Sequence, residues 1–159
     1  MLSLYKQGIV SRGDLFLQTK FTSISGQDPN NIPYNKDAPL EEQVLESYGA
    51  SLRNLRTEYL DSLVMHSPMR SLPDTITVWK TFEGIYKKGG VKALGLSNTY
   101  DIRTLRSVYD AAEIKPTILQ NRFYAKSGHD LEIRKFCNEK GIHYESFWTL
   151  TGNPTILAS

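Results

Sequence analysis

Val91–Tyr100 reads VKALGLSNTY, an apolar run that follows Gly89-Gly90, stops at Ser97-Asn98 and leads into a helical pattern. Strands that end in small polar residues just ahead of a helix are where α/β proteins build ligand sites. One such end is a weak signal. Three more apolar runs carry a functional side chain at or near their ends: QTKF at Gln18–Phe21, LVMHSP at Leu63–Pro68 and LQNRFY at Leu119–Tyr124. The fold is decided by what separates them.

Working outward, each run alternates with a segment of helical periodicity. Leu15–Leu17 open a first strand ending at Thr19-Lys20-Phe21, after a segment, Met1–Val10, that reads as a helix tail closed by Gly8. The Gly/Asn/Pro-rich stretch Thr22–Asp37 is long for a connection, as substrate lids are, and simple flexibility explains it equally well. Asp37 is placed as N-cap of a helix with Leu40, Val44, Leu45, Tyr48, Leu52 and Leu55 on one face. A second strand, Leu60–His66, stops at Pro68, which cannot continue a central ladder. The next helix starts after Ser71 and Pro73, buries Ile76, Trp79, Phe82 and Tyr86, and closes at Gly89. After Val91–Ser97 come a helix from Tyr100 to Ala112 burying Ile102, Leu105 and Tyr109, and a strand Thr117–Gln120. A helix Gly128–Lys140 then buries Leu131, Ile133, Phe136 and Cys137, and a fifth strand, Ile142–Phe147, follows. Such alternation predicts parallel strands joined by right-handed crossovers.

Composition narrows the classes of function. The 159 residues suit one domain; 40% hydrophobic and 23% charged residues are ordinary for a soluble globular protein. A formal charge of +2, without a basic block, argues against nucleic acid and membrane surfaces as partners. The single cysteine, Cys137, allows no internal disulfide, and a reducing cytoplasm is the expected location. No segment has the length of a secretory h-region or a membrane span.

The strand ends supply Lys20, His66, Asn98, Gln120 and Phe147. In parallel α/β folds all strand C-termini face one way, so these five side chains should converge on one rim. Singly, each has an ordinary explanation: a solvated lysine, a histidine satisfied by a backbone carbonyl, an N-cap asparagine, a locally bonded glutamine, a core phenylalanine. Recurrence in matching places of successive units favours a site.

In the order TKF, YLDSLVMHSP, VKALGLSN, LQNRFY and KGIHYESFWTLTGNP, the chain resembles the aldo-keto reductase family over nearly its whole length. The resemblance implies a TIM (β/α)8-type barrel and NAD(P)H-dependent reduction of aldehydes or ketones to alcohols. A phenol with a pKa of ~10 is too weak an acid at neutral pH unless a nearby ammonium lowers it. Lys20 matches the family's lysine in that role, and His66 the histidine that orients the substrate carbonyl and assists proton transfer. Asn98 and Gln120, with Ser97 beside them, match the residues that bind the nicotinamide carboxamide, and Phe147 the aromatic on which the ring stacks. NADPH is the implied cofactor, with NADH not distinguished, and a small carbonyl compound the implied substrate.

Departures shape the expectation further. The family's acid tyrosine and aspartate come from a segment ahead of the Lys20 strand, and its phosphate-binding loop from one beyond Ser159. Residues 1–159 are therefore expected to form a single partial domain, an incomplete barrel of about five strands, truncated and catalytically incomplete. Tyr34 is the one tyrosine on the rim with reach to replace the acid. Ser67 stands where many members carry a tryptophan lining the substrate pocket. Open sheet edges and an uncovered apolar inner face imply self-association. The alternative is a non-catalytic binding or regulatory module derived from the same fold.

Overall fold

The computed structural model describes residues 7–154. Five strands, β1 (Gln18–Phe21), β2 (Leu60–Met65), β3 (Val91–Ser97), β4 (Ile118–Arg122) and β5 (His143–Phe147), form one sheet in that order. All four pairings are parallel. Four helices alternate with them: α1 (Leu40–Leu55), α2 (Leu72–Lys87), α3 (Ile102–Ala111) and α4 (Leu131–Lys140). Sequential order with every crossover helical is the βα repeat of a barrel.

Alternation along each strand separates two faces. Phe21, Leu63, Met65, Leu94, Leu96 and Leu119 point outward and form one core with Val78, Trp79, Phe82, Leu105, Val108 and Phe136 of the helices. Val64 and Ile118 are buried on the opposite, inner face and stand outside that cluster. Gly95 pairs with both, and a Cβ there would lie 3.0 Å from the Ile118 carbonyl oxygen and 3.1 Å from a Val64 methyl. Backbone cannot yield as a flexible side chain can. Gly95→Ala is therefore expected to cost about 1–3 kcal/mol in urea unfolding, and a loss below 0.5 kcal/mol would show that the strands can part there.

The capping chemistry differs from expectation at one end and agrees at another. Ser71 accepts the Asp74 N–H at 3.1 Å and caps α2. Helix α1 begins after Pro39, and Asp37 does not cap it. Instead the Gln43 side-chain amide donates to the Ala38 and Lys36 carbonyls, at 2.9 and 3.2 Å, and holds the entering chain from inside the helix. Leu15–Leu17 lie outside β1: the ladder begins at Gln18↔Ser62, and although the Leu17 carbonyl accepts from β2, its N–H goes to the Asp61 carboxylate and not to a backbone carbonyl. Strand β4 runs on to Arg122, since β5 pairs with it that far. Tyr86 and Leu131 are surface residues, 36% and 70% exposed. The Met1–Val10 helix tail lies largely outside the described residues, although Gly8 does take a positive φ of 66°.

Behind the rim, a buried polar hub ties the last units together. Asn121 accepts the Thr99 N–H at 2.9 Å and donates to the Thr99 carbonyl and the Asp130 carboxylate, each at 2.8 Å. The Tyr144 hydroxyl donates to the same carboxylate at 2.9 Å. Burial, reinforced by that carboxylate, pushes the Tyr144 phenol far above its usual range, so it stays a donor. Among the described residues, no helix is long and apolar enough to cross a membrane.

Candidate active site

Lys20, His66, Ser97, Asn98, Gln120 and Phe147 line one cavity of about 320 Å³, together with Gln18, Glu145 and Ser146. Its volume falls at the low end for small-molecule sites, which run from ~300 Å³. The strand pleat explains the membership: Lys20, Ser97, Gln120 and Phe147 are inward positions on four strands, and His66 and Asn98 sit one residue past β2 and β3. The same alternation puts Gln18 two residues before Lys20 and Glu145 two before Phe147. The sequence reading missed both, although the period-2 signal was available.

Backbone geometry fixes the floor. Asn98 has φ 49°, the left-handed region that asparagine tolerates better than most residues. Its N–H and the Ser97 hydroxyl both donate to the Gln120 carbonyl, at 3.0 and 2.8 Å. The Asn98 side-chain amide donates to the His66 carbonyl at 2.8 Å, and its oxygen accepts from the Tyr100 hydroxyl at 3.1 Å. Asn98 thus joins the tops of β2, β3 and β4 and does not act as the N-cap of α3; Asp101 caps that helix by accepting the Arg103 N–H. Ser97 is 2% exposed, and its hydroxyl is already engaged.

The two ends of the cavity differ in charge. Lys20 and His66 stand at the β1–β2 end, where burial and then the lysine cation lower the imidazole pKa from 6.5. The ring is neutral at neutral pH, with one nitrogen a donor and the other an acceptor. At the β4–β5 end, the Glu145 carboxylate accepts a hydrogen bond from the Gln120 side-chain amide. What Gln120 can offer a ligand is therefore its carbonyl oxygen. The Gln18 oxygen is buried and has no partner, an acceptor facing no donor among the described residues.

A second cavity of about 590 Å³ shares His66 and continues along Ser23–Gly26, Ser67, Arg70 and Asp74. Ser67 thus does form a pocket wall, its hydroxyl turned back to the His66 carbonyl at 2.8 Å. Tyr34 takes no part in either cavity. It is 7% exposed, packs on Phe21 at 5.7 Å, and donates its hydroxyl to the Thr22 carbonyl at 2.8 Å. That bond pins the long loop from within and removes Tyr34 as a substitute acid. None of the described residues lining the first cavity is a tyrosine.

The aldo/keto reductase family model matches residues 3–154. The chain belongs to the aldo/keto reductase family. It is 33% identical over 138 residues to the uncharacterised oxidoreductase YtbE of Bacillus subtilis (strain 168), covering 87% of this chain and 43% of that one. It is 30% identical over 143 residues to the glyoxal reductase of the same organism, covering 89% and 45%. An aldo/keto reductase structure from Brucella melitensis superimposes with a TM-score of 0.74 at 25% identity, covering 98% of this chain and 56% of that one. A Bombyx mori aldo-keto reductase solved in complex with NADP gives 0.72 at 19% identity, over 92% and 45%, a likeness of fold. The chain spans less than half the length of the curated aldo/keto reductases it matches. Its five parallel strands with alternating helices are a partial barrel of the kind those relatives complete.

Proposed function

We propose that this cavity is the nicotinamide end of an NAD(P)H-dependent carbonyl-reduction site. The supporting observation is that the ends of all five strands, 20 to 147, line one space with an exposed aromatic face at one end and a lysine–histidine pair at the other. A flat aromatic amide fits this lining: Phe147 offers a stacking face, and Gln120, Asn98 and Gln18 offer carbonyl oxygens to its NH2 group. A nicotinamide held there by Phe147, Gln120, Asn98 and Gln18 would supply the hydride for carbonyl reduction.

The chain's own residues do the positioning. Lys20 and neutral His66 hold the carbonyl oxygen, where negative charge develops. Substrate reaches them through the second cavity, walled by Ser67 and the Ser23–Gly26 turn. NADPH is favoured over NADH by analogy with the relatives, among them a yeast enzyme named as an NADPH-dependent alpha-keto amide reductase. The proton donor is the open part: a phenol would have to reach Lys20 from outside the described lining residues.

The 159-residue chain is accordingly expected to bind NADPH, followed by quenching of protein fluorescence, and to show no carbonyl-dependent NADPH oxidation. Phe147→Ala should weaken binding by up to about tenfold through loss of the stacking face. Absence of NADPH binding would overturn the reading. Turnover abolished by Lys20→Met would instead overturn the requirement for a phenol. Binding without turnover also suits a second reading, a regulatory module of the same fold, favoured by a cavity lining that holds no tyrosine among the described residues; a cofactor-dependent protein partner in pull-downs would decide for it.

A further inference from the structure

We propose that Glu145 sets the redox preference of this site, drawing the oxidised nicotinamide into the cavity in preference to the reduced one. The inference rests on the nicotinamide reading above and concerns a residue that reading does not use. Glu145 precedes Phe147 by two residues on β5, so both side chains leave the same face and line the same cavity. None of the ion pairs among the described residues involves its carboxylate; the Arg122 guanidinium lies 4.3 Å from the Trp148 ring and 6.0 Å from the Phe147 ring, a cation that opposes Glu145 equally in every variant of position 145. The contact it does make is with the neutral Gln120 amide.

Oxidised and reduced nicotinamide have nearly the same shape and the same carboxamide, but the oxidised ring carries a positive charge and the reduced ring carries none. Hydrogen bonding to Gln120 therefore treats the two forms almost alike, while the Phe147 face favours the cationic ring by the same amount whatever stands at position 145. A fixed anion beside the stacking face acts on the difference between them. Lys20 adds the opposite pole at the far end of the strand order. In reduction of a carbonyl, negative charge leaves the Phe147 end and arrives at the Lys20 end. A carboxylate at the first and an ammonium at the second are aligned with that displacement, and neither has to reorient as it occurs.

Glu145 also has a positioning role, since its bond to the Gln120 NH2 leaves the Gln120 oxygen for the ligand. The two roles separate experimentally, because losing orientation weakens both cofactor forms together while losing charge weakens one. At ~6–8 Å and an effective dielectric of ~20–40, the charge interaction corresponds to about tenfold in the ratio of affinities.

The test measures dissociation constants of NADP+ and NADPH for the 159-residue chain and for Glu145→Gln, by calorimetry for the first and fluorescence for the second. The expected result is that Kd(NADP+)/Kd(NADPH) rises about tenfold in Glu145→Gln. Glu145→Asp, which keeps the charge and shortens the reach to Gln120, should weaken both forms and stay within about threefold of the wild-type ratio. If Glu145→Gln does not fold, Glu145→Ala removes the same charge with a smaller side chain and carries the same expectation. Binding of both forms with an unchanged ratio in the neutral variant overturns this inference and leaves the nicotinamide reading intact. Failure of the wild-type chain to bind either form overturns both.

Discussion

Replacing Asp61 by alanine is expected to destabilise the fold by about 2–4 kcal/mol, read as a fall in the urea midpoint at unchanged slope. Asp61 is the second residue of β2 and is only 7% exposed. Its carboxylate accepts the Leu17 N–H at 2.9 Å, the Arg12 guanidinium at 2.7 Å and the Lys92 ammonium at 3.1 Å. Alanine leaves the buried Leu17 N–H without its acceptor and takes from Arg12 its anionic partner, while the guanidinium keeps the Thr57 hydroxyl and the Leu15 and Tyr59 carbonyls. A loss under 1 kcal/mol would mean that water replaces the carboxylate.

The same residue predicts acid behaviour. Burial would raise its pKa, but the Leu17 N–H and the two cations outweigh burial and hold it at about 2. Because the folded value lies below the unfolded ~3.9, the contribution is fully present above about pH 5 and is lost as pH falls through about 2. Asp61→Asn should therefore flatten the stability profile between about pH 5 and 2, and a profile as steep as wild type would assign the acid sensitivity elsewhere. The site feels this residue too. By gripping Leu17 it sets the register Gln18↔Ser62, and with it the place of Lys20 beside His66.

Trp79→Ala is the second large effect, expected at about 3–5 kcal/mol. The indole is fully buried at the centre of α2, 6.1 Å from the Phe82 ring. Its N–H donates to the Ile114 carbonyl at 3.1 Å, across to the turn that leads into β4. Truncation opens a cavity and strands that carbonyl, so two penalties add. Trp79→Phe keeps most of the volume and should recover more than half of the loss. Equal costs for the two variants would place the energy in the hydrogen bond.

The sequence showed the strand ends because their signals are local. Pro68, the Gly89-Gly90 pair and the period-2 runs mark where each strand stops, and a stopped strand in a parallel fold has a known side for its end. Burial of helix faces was less legible. Leu131 fits the periodicity of α4, yet the left-handed turn at His129 and Asp130 rotates the helix start and leaves Leu131 in solvent. Asp37 has the chemistry of a cap, but Gln43 captured the entering chain from the other side. Glu145 was hidden for a different reason. Its partner Gln120 lies a whole helix earlier in the chain, and only the β4–β5 register, Gln120↔Glu145, brings them together.

That register has a consequence for how the site comes apart. The ammonium end of the cavity sits on β1 and the carboxylate end on β5, the first and last strands of the order, whereas β2, β3 and β4 are cross-braced by Asn98 and the Gln120 carbonyl. Fraying of an outer strand would dismantle the site before it disturbed the middle of the sheet. A molecule that engages both ends acts as a clasp, and its binding energy goes into holding the two outermost strands to the rest.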